Sequence, residues 1–318
     1  MSKDENDPIH ESVLREEVLS IFSEIGEGVI IDATLGMGGH AAALLDERPR
    51  IRVLGVDRDR QAIEAATKRL EKYSGRAEIV NANFEEIESV AADAGKGPVM
   101  GVLADLGVSS MQFDSETRGF SFRFDAPLDM RMDPDSDDET AADILATRSA
   151  DEIADIIYEY GEERASRRIA RRIVERRERG EPVRTTKQLA DLVAGALRGG
   201  KSDKIHPATR TFQALRIAVN REIEILDGFL KDAVNILDEG GILAVISFHS
   251  LEDRIVKQAF QRFAGKCICP PRIPQCQCGA AKTAEIMTKK PITPGDEELK
   301  RNPRSRSAKL RAVKKLAI

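Results

Sequence analysis

Across its first 105 residues the chain alternates short apolar runs with helix-forming segments, and three of the four runs close on an aspartate. Gly28-Val-Ile-Ile-Asp32 leads into Gly36-Met-Gly-Gly-His40 and a helix-prone stretch from Ala41 to Asp46. Ile51-Arg-Val-Leu-Gly-Val-Asp57 precedes a predicted helix over 60–73, with Ile63, Ala66 and Leu70 on one face. Arg76 to Asn81, a predicted helix over 84–92, and Val99 to Asp105 complete the series. Runs this short have the length of buried strands. Strands joined by helical crossovers run parallel, because each crossover returns the chain to the same end of the sheet. The pattern therefore specifies an α/β fold: a doubly wound, Rossmann-like sheet covered on both faces.

After Asp105 the rhythm stops for about a hundred residues. Residues 106–134 read as loop, punctuated by Gly107, Gly119, Pro127 and Pro134. Capping boxes at Ser149-x-x-Glu152 and Thr185-x-x-Gln188 then open two amphipathic helices, with Gly161 as the stop of the first and an arginine-rich helix over 162–179 between them. Lys201 to Ile205 is a polar link, and Pro207 is expected to open one long helix striped by Phe212, Leu215, Val219, Ile223 and Leu226. Strand pattern resumes over 240–248. Ser250-x-x-Asp253 is expected to cap a helix running to Phe263, and two further strands are expected over 285–289 and 309–314. The economical organisation is a sheet domain, 1–132 and 206–318, carrying an inserted helical substrate-recognition domain at 133–205. No run approaches the ~20 apolar residues of a membrane helix, and the acidic start has neither the charged nor the apolar region of an export signal, so a cytoplasmic location is expected.

Open parallel sheets bind ligands beyond the carboxyl ends of their strands. Here that edge holds Asp32, the Gly36–His40 loop, Asp57, the Asn83-Phe84 corner, Asp105 and the Ser247-Phe248-His249 corner. Asp57, 21 residues beyond Gly36, is placed to accept two ribose hydroxyls from any adenosine cofactor. Gly36-x-Gly38-x-x-Ala41 also fits a dinucleotide fingerprint, so an NAD(P)-dependent oxidoreductase is one reading. Asp32 favours S-adenosylmethionine instead, since a carboxylate there pairs with an ammonium and repels a pyrophosphate. Asp105 could meet either the adenine amino group or a target base. Each residue also has a plainer use: turn capping for Asp32 and Asp57, packing or helix capping for His40.

Charge identifies the second ligand. The net charge of −5 argues against a uniformly basic nucleic-acid binder, but a sum hides its distribution. Eight arginines and two acids lie between Arg164 and Arg179, and eight basic residues and no acid lie from Lys300 to the end. Guanidinium forks suit phosphates, so these two clusters are candidate RNA contacts; a solvated helix face is the bland alternative. Phe113, Phe120, Phe122 and Phe124 crowd the 106–134 segment, where packing is the favoured role and base stacking the alternative. All four cysteines fall in Cys267-Ile-Cys269 and Cys276-Gln-Cys278, unlike the dispersed staples of a secreted protein. Structural zinc and unliganded thiols both fit this segment, which Pro270, Pro271 and Pro274 stiffen.

Several of these stretches together resemble the bacterial ribosomal small-subunit cytosine-N4 methyltransferase family. They are His10-Glu-Ser-Val-Leu14, Ile31-Asp-Ala-Thr-Leu-Gly-Met-Gly-Gly-His40, Asp105-Leu-Gly-Val-Ser-Ser110, Pro127-Leu-Asp-Met-Arg-Met132, Tyr160-Gly-Glu-Glu163, the segment from His206 to Ile217, and Ser247-Phe-His-Ser-Leu-Glu-Asp-Arg254. The resemblance spans the chain in the expected order. It implies a class I methyltransferase fold, S-adenosyl-L-methionine as donor, and a decoding-centre cytidine of 16S rRNA in the small ribosomal subunit as substrate. Carried over by position, it implies cofactor contacts from Gly38, Gly39, His40, Asp57, Phe84, Asp105 and Gln112. Met111 departs from the proline usual in the family, which leaves the orientation of Gln112 open. For Phe84 a core aromatic, and for Gln112 a solvated amide, are the alternatives. Asp105, with Ser109 or Ser110, is expected to orient the target amine, and His249 is a second candidate for moving its proton or else a helix cap. A non-catalytic RNA-binding assembly factor is the remaining alternative.

Overall fold

The structure is a computed structural model that describes residues 11–94, 97–197, 206–270 and 275–317. His10, the polar link 201–205, Pro271 and Pro274 lie outside the described residues.

In chain order, α1 (Arg15–Ile21) precedes β1 (Gly28–Asp32), α2 (Gly39–Glu47), β2 (Ile51–Asp57), α3 (Arg60–Leu70), β3 (Ala77–Asn81), α4 (Ile87–Ala94) and β4 (Val99–Asp105). Six helices follow: α5 (Ser110–Asp114), α6 (Ala141–Thr147), α7 (Ala150–Gly161), α8 (Ser166–Glu178), α9 (Thr186–Leu197) and α10 (Thr209–Asn220). Then come α11 (Glu222–Ile236), β5 (Ile242–Ser247), α12 (Ser250–Phe263), β6 (Ala284–Ile286), α13 (Asp296–Arg301) and β7 (Lys309–Lys315). Two compact units emerge, 1–107 with 225–318, and 108–224.

The first unit is built on one seven-stranded sheet of order β3-β2-β1-β4-β5-β7-β6. β1 to β5 pair parallel, whereas β7 pairs antiparallel with β5 and with β6. This order, with an antiparallel β7 set between β5 and β6, is that of the class I methyltransferase fold the resemblance implies. Alternation assigns successive side chains to opposite faces. Ile30, Val53, Leu103, Ala244 and Ile246 pack with Val18, Leu44 and Leu70 from α1, α2 and α3. Val29, Ile31, Val102, Leu243 and Val245 pack with Val90, Phe229, Leu230 and Phe260 from α4, α11 and α12. With both faces covered, the central strands are apolar without interruption, and β5 is buried along its whole length.

The second unit has its own core, in which Ile144, Ile153, Ile157, Ile169, Ile173, Leu189, Val193, Phe212 and Leu215 meet. Phe120, Leu128, Met130 and Ala208, which the sequence reading left in the sheet domain, belong to this core, so the compact unit reaches beyond 133–205 on both sides. Both expected capping boxes are present, Ser149 with Glu152 and Thr185 with Gln188. The single long helix expected after Pro207 is two helices. Arg221 adopts φ +52° between α10 and α11, and a left-handed residue ends an α-helix. Gly161 is the last residue of α7, but the left-handed residue that ends the helix is Glu162 (φ +51°); glycine at 161 serves packing, since a Cβ there would stand 2.6 Å from the Arg210 carbonyl of α10. Among the described residues, no helix is long and apolar enough to cross a membrane.

Candidate active site

Strand order in the first unit runs outward in opposite directions from the β1–β4 pair, so the crevice for a ligand opens beyond Asp32 and Asp105. β2 adds Asp57 at the same edge. Its carboxylate is fixed by two backbone amides: Gly36 N–H donates to Oδ2 at 2.7 Å and Asp59 N–H to Oδ1 at 2.8 Å. The glycine turn reaches that carboxylate through left-handed backbone at Gly36 (φ +52°) and Gly38 (φ +74°), the latter serving as N-cap of α2. A glycine cap has no side chain to bond the first amides of α2. At Gly39 a Cβ would collide with Ser12 Oγ, so Ser12 packs directly on this turn.

Burial and mutual repulsion dominate the electrostatics. Asp32 is 1% exposed, and its carboxyl is pushed up to about 7, chiefly by burial, with the charge of Asp57 adding to the rise. The amides of Thr34 and Ala41 offset part of it. Burial also raises Asp57, against the two amides that bond it. Asp105 is held well above the ordinary carboxylate range by burial, then by Asp32, then by Glu252. Its backbone N–H donates to Thr34 Oγ1 at 2.6 Å, and His40 Nε2 lies 3.7 Å from its Oδ2. Oδ1 is buried and has no hydrogen-bond partner, although the side chain keeps 26% of its surface open. A sealed carboxylate oxygen without a donor on a partly open side chain marks a place for a ligand group.

The corner after β5 is a capping box set one residue earlier than expected. His249, not Ser250, is the N-cap of α12, and its Nδ1 accepts Glu252 N–H at 3.4 Å. Glu252 Oε2 in turn accepts the amides of Phe248 at 2.8 Å and His249 at 3.2 Å, and Oε1 lies 3.0 Å from His249 Nε2. Phe84 follows β3 in a short 3-10 turn capped by Asn83, where its ring meets Phe229 edge-on at 4.9 Å. Thr34 and Glu252 had no assigned role in the sequence reading. The signals were there, in a threonine two residues beyond a strand-end aspartate and a glutamate three residues after a capping histidine.

Ser109 and Gln112 belong to the second unit and serve each other. Ser109 Oγ accepts Gln112 N–H at 3.3 Å, and Gln112 Oε1 accepts Ser109 N–H at 3.0 Å, closing a capping box on α5. Ser110 begins that helix, and its side chain lies outside the described ones. Several matched motifs here are joints. Gln213 Nε2 donates to the Tyr160 carbonyl at 3.1 Å, and Arg210 stands 3.7 Å from Glu163, so the 160–163 and 206–217 stretches clasp α7 to α10. Asp129 and Arg131 form a two-bond fork at 2.8 and 2.9 Å, and Asn220 bonds Met130 and Met132 from α10. Phe122 packs on His206 and Phe212, and Phe120 is buried in the core.

The two basic clusters differ. On α8, Ile169, Ala170 and Ile173 face the core, whereas Arg167, Arg168, Arg171 and Arg172 on the helix, with Arg164 before it and Arg179 at its C-cap, are exposed and form no ion pair among the described residues. The C-terminal cluster is largely consumed within the fold. Lys309 and Arg311 bind Asp253 at 3.0 and 2.7 Å, Lys314 binds Glu24, Arg301 binds Glu11, and Lys315 donates to the Asn235 and Leu237 carbonyls. Finally, Cys267, Cys269, Cys276 and Cys278 bring their sulfurs within 4.8 Å of one another.

Comparison with known proteins agrees with the resemblance. The model of the MraW methylase family matches residues 7–316. The chain is 48% identical to the ribosomal RNA small subunit methyltransferase H of Geobacter sp. (strain M21), over 96% of this chain and 98% of that protein. Proteins of the same name from Thermomicrobium roseum (48% identity, 97% and 94% coverage) and Symbiobacterium thermophilum (49%, 96% and 96%) are as similar.

Proposed function

The chain belongs to the MraW methylase family, and on that premise we propose that it transfers a methyl group from S-adenosylmethionine to the N4 amine of a decoding-centre cytidine in 16S rRNA, acting on the small ribosomal subunit in the cytoplasm. The observation that carries the reading is the buried acid cluster at the β1–β4 crevice. Carboxylates and backbone amides are the groups that act on Asp32, and Asp105 is raised by burial and two further carboxylates. Such a site favours a cation. A methyl donor with an ammonium and a sulfonium fits it, and the pyrophosphate of NAD(P) would be repelled.

When bound, the cofactor supplies an electrophilic methyl group on its sulfonium. Asp57, oriented by the Gly36 and Asp59 amides, would accept the ribose hydroxyls, and Asp32 would face the ammonium. His40, beside Asp105, would line the cofactor together with Gly38 and Gly39, and the ring of Phe84, edge-on against Phe229, would flank the adenine. Asp105, whose side chain keeps 26% of its surface open, would then meet the exocyclic amine of cytosine. That amine is a weak nucleophile because its lone pair is delocalised into the ring. Holding it in line supplies much of the rate, since well-aligned groups gain ~7–11 kcal/mol over encounter in solution. As the N–C bond forms and the C–S bond breaks, N4 loses a proton. A carboxylate made more basic by burial and like charges is suited to receive it.

Transfer of tritiated methyl to immature small subunits, mapped by nuclease digestion, tests donor, substrate and position together. Label in one decoding-centre fragment is expected. Asp105→Ala should lower it by about a hundredfold or more while leaving a folded, cofactor-binding protein. Subunit binding without label would favour the non-catalytic assembly factor, and normal turnover in Asp105→Ala would remove that residue from the chemistry.

A further inference from the structure

We propose that Cys267, Cys269, Cys276 and Cys278 hold one structural zinc ion. The two C-x-C pairs stand on either side of a loop whose base is closed by backbone bonds: Ala281 N–H to the Arg262 carbonyl at 3.1 Å, Thr283 N–H to Phe263 at 2.8 Å, and a bridge between Ala264 and Lys282. Between 265 and 283, none of the described residues joins any of the three apolar clusters. The loop thus gathers its four thiols without a hydrophobic reason for doing so.

The spacing of the sulfurs is that of a metal site. Cys267 Sγ lies 3.6 Å from Cys276 Sγ and 3.9 Å from Cys278 Sγ, and Cys276 and Cys278 are 3.4 Å apart. A disulfide would place sulfurs at about 2.05 Å. Four sulfurs each ~2.3 Å from a tetrahedral zinc stand about 3.8 Å from one another. Side chains two residues apart on an extended chain point the same way, so each C-x-C pair can offer both sulfurs to one ion. Two amides reach across the loop toward the sulfurs, Ile268 N–H to Cys278 at 3.5 Å and Gln277 N–H to Cys269 at 3.3 Å. Donors of this kind stabilise the charge on thiolate ligands. Four soft sulfurs in a closed tetrahedron select zinc over hard cations, and with every position filled from the chain the ion has no site for water or substrate. Its role is to replace the missing apolar core of the loop between α12 and β6.

Elemental analysis of the full chain, purified under reducing conditions and reconstituted with zinc chloride, tests this directly. One zinc per chain is expected, with all four cysteines protected from iodoacetamide until a chelator is added. Cobalt substituted for zinc should show the charge-transfer and d–d absorption of a tetrahedral thiolate site, lost in the Cys267→Ser/Cys276→Ser variant. S-adenosylmethionine binding by that variant, read by calorimetry, separates loss of the metal from loss of the fold. Zinc below about a tenth of an equivalent in the wild-type chain would overturn the proposal. So would iron or copper as the only metal retained, or equal alkylation with and without zinc.

Discussion

Asp32 ties cofactor affinity to pH. With its carboxyl raised to about 7, it holds a proton in the folded protein over a range where the unfolded chain, near the ordinary 3.8, has lost it. Unfolding therefore releases a proton between about pH 4 and 7, and the stability that the protonated carboxyl secures at low pH is lost as pH rises through 7. Asp32→Asn should raise the melting temperature of the cofactor-free protein by several degrees at pH 8 and leave it unchanged at pH 4. The same proton must leave when a cationic cofactor arrives. Affinity for S-adenosylmethionine should consequently rise about tenfold from pH 6 to pH 8 and be nearly flat in Asp32→Asn, measured by calorimetry in buffers of different ionisation enthalpy. An unchanged slope in the variant would mean that another group takes up the proton. His249 poses a different question, because its Nδ1 already accepts Glu252 N–H as the cap of α12, while its Nε2 lies 3.0 Å from Glu252 Oε1 without a hydrogen bond. His249→Asn keeps an acceptor at the N-cap and should retain turnover within about threefold, whereas His249→Ala should cost ~1 kcal/mol of stability. A folded Asn variant with turnover down a hundredfold would instead make the histidine a proton carrier.

Helices and strands decide which charges remain for a partner. The 3.6-residue period of α8 turns three apolar residues inward and leaves Arg167, Arg168, Arg171 and Arg172 in solvent, whereas β7 lies inside a sheet edge where each cation has an acid or carbonyl within reach. Charge reversal at Arg167 and Arg171 should weaken binding to small subunits and reduce the magnitude of the salt slope by about 2, with cofactor affinity and melting temperature unchanged. Arg311→Ala should do the reverse, costing about 2 kcal/mol because Asp253 keeps Lys309 but loses the charge-assisted bond from Arg311, with little effect on the salt slope. Filter binding across a salt series and thermal melts separate the two. A flat salt slope in the α8 variant would remove that helix from the RNA surface. These elements also show where periodicity stops being informative. The strands were legible because Ile, Val and Leu runs of the right length have few alternatives, and the Ser149 and Thr185 boxes because their local chemistry fixes a helix start. The break at Arg221 left no such mark, since the apolar stripe continues through it from Leu215 to Leu226 and only the backbone turns left-handed. The cap at His249 was masked by Ser250, the residue that ordinarily does that job.

For the whole molecule the sequence carried the succession of strands and helices and the edge where acids gather, because Asp32, Asp57 and Asp105 close strands that a doubly wound sheet sets side by side. It did not carry the extent of the helical unit. Phe120, Leu128 and Met130 lie among glycines and prolines that read as loop, yet they fill the second core because α10 supplies Phe212 and Leu215 to meet them. The matched motifs accordingly split by purpose: those holding Asp32, Asp105 and Glu252 build the acid cluster, while those at 127–132, 160–163 and 206–217 hold helices together. That division predicts where the cofactor's binding energy appears. If the acid cluster is the cofactor's site, a ligand at a hundred times its dissociation constant adds ~2.7 kcal/mol to any opening that destroys the site, about a hundredfold in exchange rate. Hydrogen exchange with saturating S-adenosylmethionine should therefore slow by that factor at amides of β1, β2 and β4 and at the start of α2. In α7, α8 and α9, whose core is their own, it should stay the same. Equal slowing in those helices would show that they share the cofactor's site, and the acid cluster alone would no longer account for its binding.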